Sequence, residues 1–379
     1  MNACRQIPIY SILVIILSWF GCSSPSSDHV TEPAWVDKVD SLIRYEHALG
    51  RFDGSMVIGD RDGIQYQIAI GIAERTWDVP ISQDTRFDIA SLNKSFQAAL
   101  ILLAAEEGKL NLNDPLSEFF PNLGFDPNIT IHHLLTHTSG IPDYGGVPQE
   151  LRKGGFRGLK RLHFENDSYA KFISELETIA TPGTTFHYSN FGYHLLCLIL
   201  EKVYQKPFPM ILKERICEPY ELTNTYSETQ NQRIHEKLAE GYQYNDQDSC
   251  FERNEFINLT LGRRIFSTAS DLFKWSQIVS QNGLLSSSSY ALMTTNHLKG
   301  INPDQSYGYG FVVFDGGEYK MGNLGIRSDY IIHGGETGGY KSLLVNIQNG
   351  DLILAILSNI GDRTNEMVLS KKILKLIPQ

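Results

Sequence analysis

The sequence predicts an α+β fold: one antiparallel sheet flanked by helices, a helical lobe beside it, and an active-site cleft between the two. Three observations carry this expectation. Strand-like runs gather at both ends of the chain, about 35–86 and 262–379. The middle, about 87–261, has mainly helical periodicity interrupted by loops rich in Pro, Gly and Asn. Strands segregated from helices, instead of alternating with them, argue against a doubly wound parallel sheet. The 379 residues, 42% of them hydrophobic and 32 of them glycine, are enough for a full core in a turn-rich globular chain.

In chain order, Arg5, the apolar run Ile9 to Phe20, and Gly21-Cys22 come first, followed by S-S-P-S-S-D. This is short for a membrane span and reads as a secretory signal over 1–22. The Gly-Cys junction resembles a bacterial lipobox, which makes Cys22 a lipidation site and 23–34 a tether. The address is then exported and periplasmic, with a membrane partner through the lipid anchor. A single large domain occupies 35–379. Within it, Trp35 to Leu49 has helical periodicity, and Asp62-Gly63 turns a hairpin between two strand-like runs. Phe87 to Leu110 ends in a long uncharged apolar run that suits a buried helix. Y-G-Y-G-F-V-V-F, D-Y-I-I-H, Y-K-S-L-L-V-N-I and D-L-I-L-A-I-L-S read as strands, the last two joined at Asn349-Gly350, and Thr364 to Leu376 as a closing helix.

Asp and Glu number 43 against 33 Lys and Arg, a net charge of -10 with no long basic run, which excludes nucleic acid as the expected partner. Outside the signal, Cys197 lies in the core-like run L-L-C-L-I-L, while Cys217 and Cys250 either pair in an oxidising compartment or stay free. There is no C-x-x-C. His133 and His137 are four apart, but no H-E-x-x-H accompanies them, so neither metal nor other cofactor is expected.

The chemistry starts at S-L-N-K. On a helix, residues three apart share a face, which sets the Lys94 amine beside the Ser91 hydroxyl. Burial disfavours a lysine's charged form, and an amine that exchanges protons readily activates a serine nucleophile. Ser91 at a helix start also offers its backbone N–H to an oxyanion. Alone the motif is weak, since about one or two S-x-x-K matches arise by chance in such a chain. Ser168 to Lys171 is a second match, in a polar amphipathic stretch where a solvated face explains it.

Ser91 has company, however. Tyr188-Ser189-Asn190 follows, and then His333-Gly334-Gly335 near the end of a predicted strand. S-x-x-K, Y-x-N and a [K/H]-x-G triplet, in that order, resemble the penicillin-recognising serine hydrolases. P-N-I-T-I-H-H-L-L-T-H-T-S-G-I-P-D-Y, I-C-E-P-Y-E-L-T-N-T, F-S-T-A-S-D-L-F-K-W and Y-G-Y-G-F extend the likeness over roughly 50–360. The chain thus resembles the beta-lactamase class C and serine-type D-Ala-D-Ala carboxypeptidase family, whose fold matches the class predicted above. The resemblance implies Ser91 as acyl-enzyme nucleophile, Lys94 as its proton acceptor and Tyr188 as second acid/base. It implies Asn190 as the residue holding Lys94 and the substrate amide, His333 and Gly335 as the third motif, and Glu336 as oxyanion donor together with Ser91.

Two departures bear on substrate. Family beta-lactamases carry Lys-Thr-Gly where His333-Gly334-Gly335 stands, so a fixed cation and a carboxylate-binding hydroxyl are both missing. Arg263 and Arg264 replace a usual Gly-Gly and could supply an anion clamp or simply pair with acids. The expected function is an acyl-enzyme serine hydrolase for amides or esters, with D-amino-acid peptides of cell-wall origin as substrates and weak or no beta-lactamase activity. An esterase for small acylated molecules is the alternative, and a non-catalytic cell-wall-fragment binder the reading from another class.

Overall fold

The two ends of the chain meet in one sheet. The computed structural model describes residues 33–144, 166–228, 233–253, 264–281 and 283–378. The signal, Cys22, most of the tether and Arg263 therefore lie outside the described residues. Strand β1 (Gly54–Asp60) and β2 (Gly63–Ile70) form the hairpin expected across Asp62-Gly63. Short β3 (Ile72–Glu74) and β4 (Val79–Pro80) pair with each other. Then come β5 (Phe87–Asp88), β6 (Tyr226–Ser227), β7 (Tyr242–Asn245), β8 (Cys250–Arg253) and β9 (Ile265–Ser267). The C-terminal group is β10 (Val312–Phe314), β11 (Tyr330–Thr337), β12 (Tyr340–Ile347) and β13 (Leu352–Ser358).

The principal sheet is antiparallel, in the order β10-β11-β12-β13-β1-β2. N-terminal β1 docks on C-terminal β13 with Gly54 opposite Ser358 and Gly59 opposite Ile353. Strands β12 and β13 are covered on both faces, so they read as continuous apolar runs. Edge strand β2 alternates instead, with Tyr66 and Ile68 inward and Gln65 and Gln67 in solvent. On one face lie α1 (Trp35–Ala48) and the closing helix Glu366–Leu374, packing Val39, Ile43 and Ile373 against Ile332, Val345 and Ile356. On the other face helix Ala269–Ser280 and α2 (Asn93–Glu106) join a second cluster that includes Val57, Leu344 and Leu357.

Helix α2 is buried on every side from Asn93 to Ala104, which explains an apolar run without a stripe. Phe96 stacks on Trp275 with centroids 4.0 Å apart, and Trp275 Nε1 donates to Ser95 Oγ at 3.0 Å. Fully burying a Leu or Ile side chain contributes about 1.5–3 kcal/mol. Leu100, Ile101 and Leu102 therefore outweigh the few kcal/mol needed to bury one charged or polar group at the helix head. Ala34–Gln379 forms one compact unit.

Two expectations need correction, and the open question of the cysteines is answered. The stretch 87–261 is less helical than its pattern suggests: β5, β9 and β6 form a small sheet, and β7 and β8 a hairpin. The period-2 alternation of Tyr242 and Tyr244 is too short to register beside longer helical patterns. Cys217 is buried, Cys250 exposed, and both are free, as is Cys197. The closing helix is Glu366–Leu374, shortened because Asn365 Oδ1 caps it by accepting from Val368 N at 2.9 Å. The second S-x-x-K match lies on helix Asn166–Ser174, where Lys171 pairs in solvent with Glu175.

Candidate active site

Ser91 sits in a one-turn 3-10 segment, Ala90–Leu92, between β5 and α2. Ala90 is held at φ 49°, a left-handed conformation that costs a non-glycine residue about 1–3 kcal/mol. Its neighbours hold it there. Asp88 Oδ1 accepts from Ala90 N at 2.7 Å, and Ser342 Oγ donates to Ile89 O at 2.6 Å. Strand β11 presses on the same turn: a Cβ on Gly335 would stand 2.4 Å from Ile89 O and 2.9 Å from Ala90 Cβ. Glycine is required at 335 by packing alone.

One turn into the helix, Lys94 is only 3% exposed. Its Nζ donates to Ser91 Oγ at 3.3 Å and to Asn190 Oδ1 at 2.8 Å. Asn190 is oriented in turn by Asp143, which accepts from Asn190 N at 3.1 Å and from Nδ2 at 3.1 Å. That pairing fixes the amide with its oxygen toward Lys94. Burial raises the Asp143 carboxyl above its ordinary range, while the nearby Lys94 charge works against that rise.

The Y-S-N triplet is explained by a helix start. Ser189 is the N-cap of helix Asn190–Tyr204, its Oγ accepting from Gly192 N at 3.1 Å. Tyr188 thus precedes the extended cap residue, and Asn190 is the first helical one. The Tyr188 ring lies on His137, with centroids 4.2 Å apart, and Lys94 Nζ stands 4.9 Å from the Tyr188 ring centre. His137 is buried at φ 57°, and its Nδ1 accepts from Ser189 N at 3.0 Å, which places the ring proton on Nε2. Burial, reinforced by Lys94, holds His137 well below the ordinary imidazole range, so it is a neutral platform.

His333 is neutral as well. Its Nδ1 contacts Gly334 O at 2.6 Å and its Nε2 contacts Tyr307 Oη at 3.0 Å. A carbonyl only accepts, so Nδ1 carries the proton and Tyr307 donates to Nε2. Burial first, and the Lys94 charge second, push His333 down to about 3. Where the sequence showed only the loss of a fixed cation, burial leaves this imidazole uncharged near neutral pH.

Ser91, Tyr188, His333, Gly334, Gly335 and Glu336 all border one pocket of about 390 Å³. Arg264 is not part of its lining. Its Nε and Nη2 both bond Asp88 Oδ2, beneath the Ser91 turn. The anion-clamp expectation for Arg264 is corrected accordingly, because a guanidinium engaged by a fully buried carboxylate is not free for substrate. Among the described residues no group of three or more His, Cys, Asp or Glu is placed to hold a metal. His132 instead contacts Tyr309 Oη at 2.7 Å, and His133 completes a capping box with Thr130.

Sequence reasoning missed four residues. Asp143 and His137 lie inside the quoted segment ending I-P-D-Y, where only their pairing with Asn190 and Ser189, about 50 positions on, reveals a task. Lys341 and Glu366 also line the pocket. The alternation of β12 puts Lys341 opposite Glu336, but Glu366 comes from a helix whose place no local pattern gives.

A family model described as Beta-lactamase matches residues 39–375. Penicillin-binding protein 4* of Bacillus subtilis (strain 168) is 26% identical over 329 residues, 82% of this chain and 68% of that protein. Protein flp of Staphylococcus aureus (strain N315) is 29% identical over 248 residues, 63% of this chain, and the match spans about half of flp, 47%. The octameric penicillin-binding protein homologue from Pyrococcus abyssi superposes with a TM-score of 0.75 at 25% identity, over 90% of this chain and 77% of that one.

Proposed function

Because this chain belongs to the beta-lactamase family of serine hydrolases, we propose that it cleaves amide or ester bonds through an acyl-enzyme on Ser91. The observation that carries the reading is the buried Lys94 amine, hydrogen-bonded to both Ser91 Oγ and Asn190 Oδ1. Ser91 Oγ attacks the substrate carbonyl carbon and its proton passes to Lys94 Nζ, which takes part in this step as the neutral amine. The backbone N–H groups of Ser91 and Glu336 receive the negative oxygen. Collapse breaks the C–N or C–O bond, and the leaving group takes a proton from Tyr188, which Lys94 replaces. Water then attacks the ester on Ser91, returning its proton through Tyr188 and releasing the acid.

Export and lipidation at Cys22 belong to the same proposal. Outside the cytoplasmic membrane, D-amino-acid peptides of cell-wall origin are our first substrate class. A substrate carboxylate finds neutral His333 and a bare Gly334 where the family's beta-lactamases place a cation and a hydroxyl, so beta-lactam turnover is weak or absent. That same observation favours the second reading, an esterase for small acylated molecules. The test sets p-nitrophenyl butyrate, a D-amino-acid amide and benzylpenicillin against the wild-type protein and Ser91→Ala. We expect turnover of the neutral ester or amide at least about a hundredfold faster than of penicillin, and none in the variant. No turnover of any of the three overturns the reading and leaves a binding role, and activity retained in Ser91→Ala overturns Ser91 as the nucleophile.

A further inference from the structure

Two neighbouring glycines in the third motif have different physical reasons. Gly335 is forced, since any side chain would strike Ile89 O and Ala90. Gly334 is not. A Cβ there would meet Leu343 Cδ1 at 3.5 Å, Ser342 O at 3.5 Å and Glu366 Oε1 at 3.9 Å, ordinary contact distances, and its φ lies outside the left-handed region. Nothing in the backbone asks for glycine, so its effect is on the pocket. With no side chain at 334, one pocket is bordered by Ser91 and also by Val312, Met321, Ile332, Leu343, Met367 and Glu366.

The character of this lining follows from its charges. Glu336, Lys341 and Glu366 are the charged residues of the lining, two carboxylates to one ammonium. Lys341 Nζ bonds Glu336 Oε2 at 2.6 Å and reaches Glu366 Oε2 only at 3.7 Å. The Glu366 side chain is 14% exposed, where a charge interaction is screened far less than at the surface. Its other oxygen, Oε1, is the one that faces Gly334. Among the described lining residues Lys341 is the one charged cation, shared between Glu336 and Glu366, while His333 is neutral and Lys94 is engaged with Ser91 and Asn190. The lining is largely apolar, carries the Glu366 carboxylate, and includes the candidate nucleophile.

We propose that this part of the pocket is a substrate subsite for a cation, an ammonium or guanidinium group, at the end of a short apolar chain. Glu366 recognises the cation and Gly334 admits the chain. The inference rests on the reading of Ser91 as nucleophile, and it narrows the amide or ester substrates to those that carry a basic group on such a chain.

The experiment compares hexylammonium, hexanol and hexanoate, which share a chain and differ at its end. Each is measured twice: as a competitive inhibitor of p-nitrophenyl butyrate hydrolysis by wild type, and as a ligand of Ser91→Ala by calorimetry, which needs no turnover. We expect hexylammonium to bind about tenfold more tightly than hexanol, the order of one charge-assisted hydrogen bond, and hexanoate to bind most weakly. In Glu366→Gln the ammonium advantage should fall to within about twofold, and Gly334→Val should weaken all three. If Glu366→Gln does not fold, Lys341→Gln decides, since removing the competing ammonium should enlarge the advantage about threefold. An ammonium bound no better than the alcohol, an advantage that survives Glu366→Gln, or one that does not grow in Lys341→Gln overturns the subsite. Binding without any wild-type turnover would instead overturn the hydrolase reading and leave the subsite standing.

Discussion

Asn190 links two ionisable groups without being charged itself. Its oxygen accepts from Lys94 and its nitrogen donates to Asp143, so the carboxylate sets which way the amide points. Removing the acceptor lets the amide turn and offer Lys94 a donor instead of an oxygen. Asp143→Ala should therefore lower kcat/KM about ten- to a hundredfold, mostly in kcat, although Asp143 has no bond to Ser91. A variant with unchanged kcat and a raised KM would show that Asp143 serves substrate binding instead. The same economy of contact explains why the S-x-x-K and Y-x-N motifs were legible and Asp143 was not. Local spacing brings Ser91 to Lys94, but only tertiary structure brings residue 143 to residue 190.

At the scale of elements, the Ser91 turn is a strained segment clamped from three sides: Asp88 from β5, Gly335 from β11 and Ser342 from β12. Arg264 on the approach to β9 balances the Asp88 charge, which is otherwise fully buried. Deleting one partner of a buried pair costs about 3–5 kcal/mol, because the other charge is left unpaired. Arg264→Ala should lower the thermal midpoint by several degrees and slow acylation of all substrates alike. A selective loss toward anionic substrates, with stability unchanged, would restore the anion clamp and refute the brace. Gly335→Ala drives a methyl into Ile89 O and should abolish activity even where the protein still folds. The β7–β8 hairpin shows the opposite limit of sequence reading. Four alternating residues inside a polar loop region are too few to outvote a helical background, so that element emerged only from the fold.

At the scale of the whole molecule, five histidines among the described residues are held neutral chiefly by burial: His132, His133, His137, His297 and His333. Their folded values lie below the ordinary one, so the unfolded chain binds more protons as pH falls below about 6.5, and stability falls with it. For His333, down to about 3, and His132, down to about 4, lowering the pH from 7 to 5 costs about 2 kcal/mol each. Raised carboxyls at Asp143, Asp271 and Glu366 act in the other direction and oppose part of this loss. Urea midpoints should therefore drop steadily between pH 7 and pH 5, and a flat profile would mean that these imidazoles are not buried neutral.

The sheet's make-up from both chain ends was legible because β1 and β2 meet at a strong turn signal and β12 and β13 are continuous apolar runs. The charged part of the pocket lining was not, because Gly334, Lys341 and Glu366 come from two strands and a helix whose packing no single stretch encodes.

The dyad of Ser91 and Lys94 is tested most directly by locating the acyl group itself. The protein would be mixed with p-nitrophenyl butyrate, quenched within milliseconds to seconds, digested, and the peptide carrying Ser91 weighed, with Lys94→Ala in parallel. We expect a butyryl mass on Ser91 in wild type and acylation at least about a thousandfold slower in Lys94→Ala, the scale of losing a general base beside an intact nucleophile. A butyryl group on any other residue, or a Lys94→Ala protein acylated at the wild-type rate, would contradict the account at its centre.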